Sequence, residues 1–235
     1  MATFPGFDTG SYPGDNVMQK WFGNPFVFTG FYLEAPCHNA SKFGPWSGHM
    51  AFLKSIGWGF VVVYVGSQGI GCGANSLSRA RGTTDGNDAI AKAKAEGVAN
   101  GGTIFLDVEL MDSLSQALIN YMRGWLAALL QEGTFKAGIY SHFRNAKQLR
   151  SAAQQEYEAQ GQAGGAPEFF VVRVPGSSFN VNTSSPQDLN NFATNPISFA
   201  SVWQGKIDVP KETHNGVKFG PVDEDVANSR NPSNA

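Results

Sequence analysis

Short apolar runs alternate along this chain with longer amphipathic segments, the rhythm of βα units wound around a mostly parallel sheet. Phe4 to Asp8 and Val27 to Leu33 read as the first two strands. Ser47 to Ile56 reads as a helix, and Gly59 to Val65 (GFVVVYV) as a strand buried on both faces, because its β-branched run leaves no polar side. Thr84-Asp85-Gly86-Asn87-Asp88 offers N-caps for an Ala-rich helix that Asn100-Gly101-Gly102 stops. Thr103 to Glu109 is the next strand. Ser113 to Gln131 is a long helix whose Leu114, Leu118, Tyr121, Met122, Trp125, Leu126 and Leu129 fall at helical spacing. Lys136 to His142 and Glu168 to Val174 are further strands, separated by a polar helix over Asn145 to Gln160 and a link from Gln162 to Pro167. Beyond Pro175 the helical pattern fades, leaving two short strand candidates, Phe199 to Gln204 and Val217 to Asp223.

About eight strands in this order predict a (β/α)8, TIM-like α/β barrel with a degenerate helical layer in its C-terminal third. Such barrels place their active sites at the carboxyl ends of the strands. The strand ends are therefore the informative positions. The first gives Asp8, the second Tyr32 and Glu34, the third Tyr64 and Gln68. The fourth ends in Asp107 and Glu109, the fifth in Tyr140 and His142, a later one in Trp203 and Gln204, and the last in Asp223 with Asp225. Strand side chains alternate faces, so Asp107 and Glu109 project from the same side. A lone D-x-E also occurs at solvated strand ends. Carboxyls converging with aromatic rings on one rim are what cleavage of a sugar polymer requires: one acid kept protonated, another ionised, and flat faces for stacking.

Composition narrows the classes. With 235 residues, 42% of them hydrophobic, the chain can bury one substantial core; a single domain over residues 1–227 is expected, with 228–235, rich in Asn, Ser and Pro, frayed. Seventeen basic and 19 acidic residues, the basic ones scattered, argue against a nucleic-acid partner. No run approaches the roughly 18 apolar residues of a membrane span, and no secretory signal is legible at the start. Cys37 and Cys72 could form one bridge or stay free thiols.

The residues also carry a resemblance. Phe7-Asp8-Thr9-Gly10-Ser11-Tyr12-Pro13-Gly14, Ala35-Pro36-Cys37-His38, Gly57-Trp58-Gly59, Thr84 to Ala89, Ile104 to Glu109, Val202-Trp203-Gln204-Gly205 and Val222-Asp223 look like successive motifs of the glycoside-hydrolase-like family once called domain of unknown function 1906. That family is itself similar to the family 25 lysozymes, barrel muramidases. The resemblance implies Glu109 as general acid and Asp107 as its partner, polarising an N-acetyl group or steadying positive charge on the sugar. It also implies Asp8 as a cleft aspartate and Asp223 as the aspartate of a final D-x-N motif, from which the chain departs, since Asp225 stands where relatives usually have asparagine.

The rival motifs are weak. Gly69-Ile70-Gly71-Cys72-Gly73 does not open a helix directly as a dinucleotide-binding loop must. His38, His49, His142 and His214 form no metal-binding pair. Trp21, Trp46, Trp58 and Trp125 read as packing residues. The expectation is thus a lysozyme-like hydrolase of N-acetylated cell-wall polysaccharide, with no cofactor and no metal. Catalysis falls to Glu109, Asp107, Asp8 and Asp223, and substrate contact to Tyr32, His38, Tyr64, Gln68, Tyr140, His142, Trp203, Gln204 and Asp225. The alternatives are a noncatalytic carbohydrate or cell-wall binding module on the same barrel and a chitinase-like hydrolase. A wall substrate without a legible signal implies an injection, phage-lysis or other nonclassical export route, or a substrate met inside the cell.

Overall fold

Every second residue of the strand at Gly59–Tyr64 (β3) points into the barrel and the rest point out, and both sets are apolar. Val61 and Val63 join Phe28, Phe105, Phe170, Val202 and Ala227 in an inner plug, while Phe60, Val62 and Tyr64 pack under the helices. At about 1.5–3 kcal/mol for each large side chain buried, these two layers define the fold. The computed structural model describes residues 2–38, 44–109 and 112–235. The chain runs β1 (Phe4–Asp8), α1 (Asp15–Trp21), β2 (Phe28–Leu33), α2 (Met50–Ser55), β3, α3 (Arg79–Ala95), β4 (Thr103–Val108), α4 (Gln116–Glu132), β5 (Lys136–His142), α5 (Ala146–Ala159) and β6 (Glu168–Val172). It ends with β7 (Ala200–Val209), a hairpin of β8 (Glu212–His214) and β9 (Val217–Phe219), and β10 (Val222–Ala227).

The sheet closes as an eight-stranded barrel in the order β1, β10, β7, β6, β5, β4, β3, β2. The expected TIM-like α/β barrel is present, with two 3-10 turns, Gly176–Ser178 and Pro186–Asn191, in place of a helix between β6 and β7. The last strand is corrected. Residues 217–219 form the outer arm of the hairpin, and the eighth barrel strand is Val222–Ala227, antiparallel to both β1 and β7. A hairpin connection reverses the chain, whereas a parallel return needs a crossover of a dozen or more residues.

Two further differences have local causes. Helix α3 begins at Arg79, ahead of the Thr84–Asp88 caps, because the Ser78 hydroxyl accepts the Arg81 N–H and caps it. Helix α1 was not legible: it is seven residues long and begins after Gly14 with no side-chain cap. The tail expected to fray is bound. Where β3 and β4 stop pairing, Asn231 Oδ1 accepts the Phe60 N–H (2.9 Å) and the Ser233 hydroxyl accepts the Val62 N–H (2.8 Å). The Ser233 carbonyl accepts the Thr103 N–H at 2.7 Å, so backbone groups at the gap find partners in the tail.

Helices α3 and α4 approach most closely at Gly82 and Gly124. A Cβ on Gly124 would lie 1.9 Å from the Arg79 carbonyl oxygen, which is backbone and cannot swing away. Gly124→Ala is therefore expected to cost about 2–3 kcal/mol by forcing the two helices apart, read as a lower urea midpoint with an unchanged m-value.

Candidate active site

Four of the acids singled out in the sequence meet at one end of the barrel. Asp8 from β1, Asp107 from β4, Glu109 just beyond β4 and Asp223 from β10 line a single cleft of about 430 Å³. Thr9, Gly10, Tyr32, Cys37, His38 and Asp208 complete most of its wall. Asp223 reaches this rim because β10 runs backwards, which places the start of that strand beside the carboxyl end of β1, with Asp8 opposite Asp223 in register.

A hydrogen-bonded layer sits on the apolar plug. Tyr32 Oη donates to Asp8 Oδ1 at 2.5 Å, and Gln204 Nε2 donates to Asp8 Oδ2 and to Asp223 Oδ2, both at 2.8 Å. Gln204 is oriented in turn by Tyr140 Oη, which donates to its Oε1 at 2.7 Å. Room for Asp8 comes from Gly30 on the neighbouring strand, where a Cβ would fall 2.5 Å from the Asp8 Cβ. On β7 the register against β10 slips twice, on either side of Glu224. Bulges of this kind re-aim side chains near active sites. At the second slip Asp208 adopts a left-handed backbone (φ 51°), and its N–H donates to Asp223 Oδ1 at 2.7 Å. Asp208 was not singled out in the sequence; the signal lay in Asp tolerating that conformation beside a strand end.

The remaining candidates divide. His38 lines the cleft, stacked on Tyr32 with ring centroids 5.2 Å apart, and its Nε2 donates to the Gly10 carbonyl at 2.8 Å. That carbonyl can only accept, so Nδ1 is left as the acceptor. Gln68 is spent on the backbone: Nε2 donates to the Asp107 carbonyl (3.0 Å), and Oε1 accepts the Glu109 N–H (3.3 Å), clamping the D-x-E segment. Tyr140 and Gln204 form the floor of the site.

Tyr64, Trp203, His142 and Asp225 are corrected. Tyr64 points outward, fully buried under α3, and donates to Asp88 Oδ2 at 2.8 Å. Trp203 is the residue on β7 facing away from the lumen; it packs edge-on against Phe179 and donates to the Arg173 carbonyl at 2.8 Å, a plug and not a sugar platform. In both cases the strand parity, read one residue off, decides the face. His142 lies outside the cleft beside Phe143, its pKa lowered by burial and by Arg144 and Arg173. Asp225 is sealed inside the barrel below the cleft, out of reach of a substrate. The two cysteines, left open by the sequence, are bridged, tying the loop after β2 to the loop after β3 at the cleft wall.

The electrostatics follow from crowding acids in a confined space. Burial raises Asp8 to about 6, partly offset by its hydrogen bonds from Tyr32. Asp223 is pushed up to about 8 by burial and by the charge of Asp8. Asp107 rises well above the usual carboxylate range, first through burial and then through Glu109 and Asp8. Glu109 is exposed at the mouth, yet the walls strip enough water from its carboxyl to raise it as well. Solvent reaches Glu109, so its shift is smaller than that of sealed Asp107. These acids titrate as a set, and Asp223 in particular holds its proton to about pH 8.

The linkage has a definite sign. The native state holds protons that the unfolded chain has already released above its carboxylate pKa near 4, so stability is greatest in acid and falls as pH rises toward 8. Thermal unfolding is expected to show a higher Tm at pH 5 than at pH 8, and Asp223→Asn to flatten the difference. A Tm that rises across this range would contradict the assigned directions.

A closed α/β barrel with an acid-lined cleft at its strand ends is the architecture of barrel glycosidases. Residues 19–227 match the Rv2525c-like, glycoside hydrolase-like domain, and the chain belongs to that family. No curated protein matches the chain. Among solved structures, it is similar to the Mycobacterium tuberculosis Tat-secreted protein Rv2525c in complex with L-tartrate, at 16% identity and TM-score 0.59, covering 99% of this chain and 98% of that one. It is also similar to the catalytic domain of endolysin ply40 from Listeria monocytogenes bacteriophage P40, at 15% identity and TM-score 0.56 over 97% and 94% of the two chains. A third similar structure is the Streptococcus pneumoniae virulence factor GHIP, a glycosyl hydrolase 25, at 14% identity and TM-score 0.56 over 95% and 86%. At these identities the likeness is one of fold. Among the described residues no helix is long and apolar enough to cross a membrane.

Proposed function

We propose that the protein is a lysozyme-like glycoside hydrolase acting on an N-acetylated cell-wall polysaccharide, peptidoglycan first. The observation that carries the reading is the meeting of Asp8, Asp107, Glu109 and Asp223 in one cleft whose acids cannot all be ionised together. Burial raises both members of the Asp107 and Glu109 pair above their ordinary carboxylate values, and the Glu109 charge adds to the rise at Asp107, the direction needed for protonating a departing glycosidic oxygen. Glu109, at the open mouth, is the proton donor. Asp107, behind it, lines the same cleft, where its carboxyl faces a substrate N-acetyl group or charge developing at the sugar carbon. Asp8 and Asp223, held by Tyr32, Gln204 and the Asp208 N–H, set the field around them.

The likeness of fold to the catalytic domain of an endolysin, to a spore cortex lytic enzyme and to a glycosyl hydrolase 25 supports the substrate class. The test is digestion of purified sacculi and of chitin oligomers, with reducing ends counted and products identified by mass spectrometry. Soluble muropeptides from sacculi are the expected result. Release from chitin alone moves the substrate to chitin-like polymers. Binding to sacculi without new reducing ends at any pH overturns the hydrolase reading and leaves a binding module.

A further inference from the structure

The layer beneath the cleft contains one acid that the mechanism above does not use. Asp225 points into the lumen from β10, opposite Gly6 in register on β1 and beside Gln204 on β7. It is fully buried, and neither of its carboxyl oxygens has a hydrogen-bond donor among the described residues. Below it the lumen is apolar. The Phe28 ring occupies the space a side chain on Gly6 would need, and Ala227 is the next inward residue on the same strand. An ionised carboxylate in such a position is unsustainable without a partner of opposite charge.

No such partner is present among the described residues. Lys206 of β7 serves the outer face, where its Nζ meets Glu224 Oε2 at 2.7 Å. The groups acting on Asp225 are Asp8 on β1 and Asp223 and Glu224 on its own strand; all are acids. No group of three His, Cys, Asp or Glu side chains among the described residues is arranged to hold a metal ion. The remaining way to satisfy the site is a proton. A carboxylic acid at this position has one O–H to donate, and Asp8, two residues on from Gly6 on the same inward face of β1, is the neighbouring carboxylate that can accept it.

We infer that Asp225 is a neutral carboxylic acid in the working protein, a positioning residue that donates its proton as a hydrogen bond to Asp8 and so holds Asp8 as the ionised carboxylate at the base of the cleft. Asp8 then accepts from three directions: Tyr32, Gln204 and Asp225. Its charge is stabilised by donors that do not depend on solvent, which lets a carboxylate persist at a buried site. Asp225 performs here what a side-chain amide of the same shape could perform, donating a hydrogen bond without bringing a charge.

The inference deepens the hydrolase reading and rests on it only for its kinetic consequence, so its test begins with a measurement independent of activity. Infrared difference spectra of wild type minus Asp225→Asn, with 13C-labelled aspartate, are expected to contain a protonated-carboxyl band persisting from pH 5 to pH 8. A carboxylate band at pH 8 in its place overturns the inference. Asp225→Thr, which also carries a donor and no charge, supplies the same difference spectrum if the Asn variant does not fold. The Tm of Asp225→Asn relative to wild type should rise with pH, because wild type alone retains a proton that its unfolded chain releases. A relative Tm that falls with pH points to an ionised, partnered Asp225 and also overturns the inference. In the kinetic arm, Asp225→Ala should lose about tenfold more kcat/KM than Asp225→Asn, the worth of one hydrogen bond to a charged group; equal losses contradict a donor role. If no glycan is cleaved by any form, the hydrolase reading fails while the spectra still decide the state of Asp225.

Discussion

Glu109→Gln is expected to lower kcat on peptidoglycan by about 10²–10⁴-fold, the range typical of removing a positioned general acid, with Tm unchanged or slightly raised. The amide keeps the side chain's size and leaves the backbone clamp intact, because Gln68 holds residue 109 through its N–H and not its carboxyl. What disappears is the transferable proton. A Tm rise would reflect relief of crowding among Asp8, Asp107 and Asp223, the expected exchange between stability and activity at a site of like charges. Wild-type activity should decline on the alkaline side as the Asp107 and Glu109 pair loses its last proton, the loss belonging to the pair and not to either residue alone. Full activity in Glu109→Gln would remove it as the acid and direct attention to Asp107.

Removal of the disulfide should produce the largest change in stability. Cys37 and Cys72 are 35 residues apart, and a cross-link closing a loop of that size restrains the unfolded chain by about 3–4 kcal/mol. For a protein of this length that is a fall in Tm of about 6–16 °C. Reductant should lower the wild-type Tm by the same amount as Cys37→Ser with Cys72→Ser, and should leave the double variant unaffected. Activity should suffer too, because Cys37 and His38 both line the cleft and the loop carrying them loses its anchor to β3. An unchanged Tm in the double variant would mean that the packing of these loops suffices without the bond.

The sequence was most legible where both faces of an element are apolar or where a cap is written in side chains. The strand at Gly59–Tyr64 and the long helix through Trp125 are of that kind, and barrel topology follows from their rhythm. The cleft acids were legible because strand ends in a barrel share one rim. Parity was the weak link. Tyr64 and Trp203 sit one residue away from lumen-facing Val63 and Gln204, and nothing in a run apolar on both faces tells which alternate set points inward. Asp223 reached the predicted rim by an unpredicted path, at the beginning of a reversed strand and not at the end of a forward one. The role of Asp208 depends on a bulge and a left-handed backbone, features set by register against β10 and invisible in the local pattern. The proton-bearing state of the cleft was legible only as an expectation of crowding, since burial depends on the closed wall.

The reversed strand also has a consequence for biosynthesis. Strand β10 is the stave that joins β1 to β7, yet 218 residues separate Phe4 from Val222. At ribosomal rates of 5–20 residues per second, about 10–40 s pass between emergence of the first stave and arrival of the last. During that interval the nascent chain is an open trough with two bare sheet edges, each a template for pairing with another molecule. The tail that splints β3 to β4 comes later still. The barrel is therefore hooped only after its other seven staves have been made, and its dependence on holding chaperones should be concentrated in that interval.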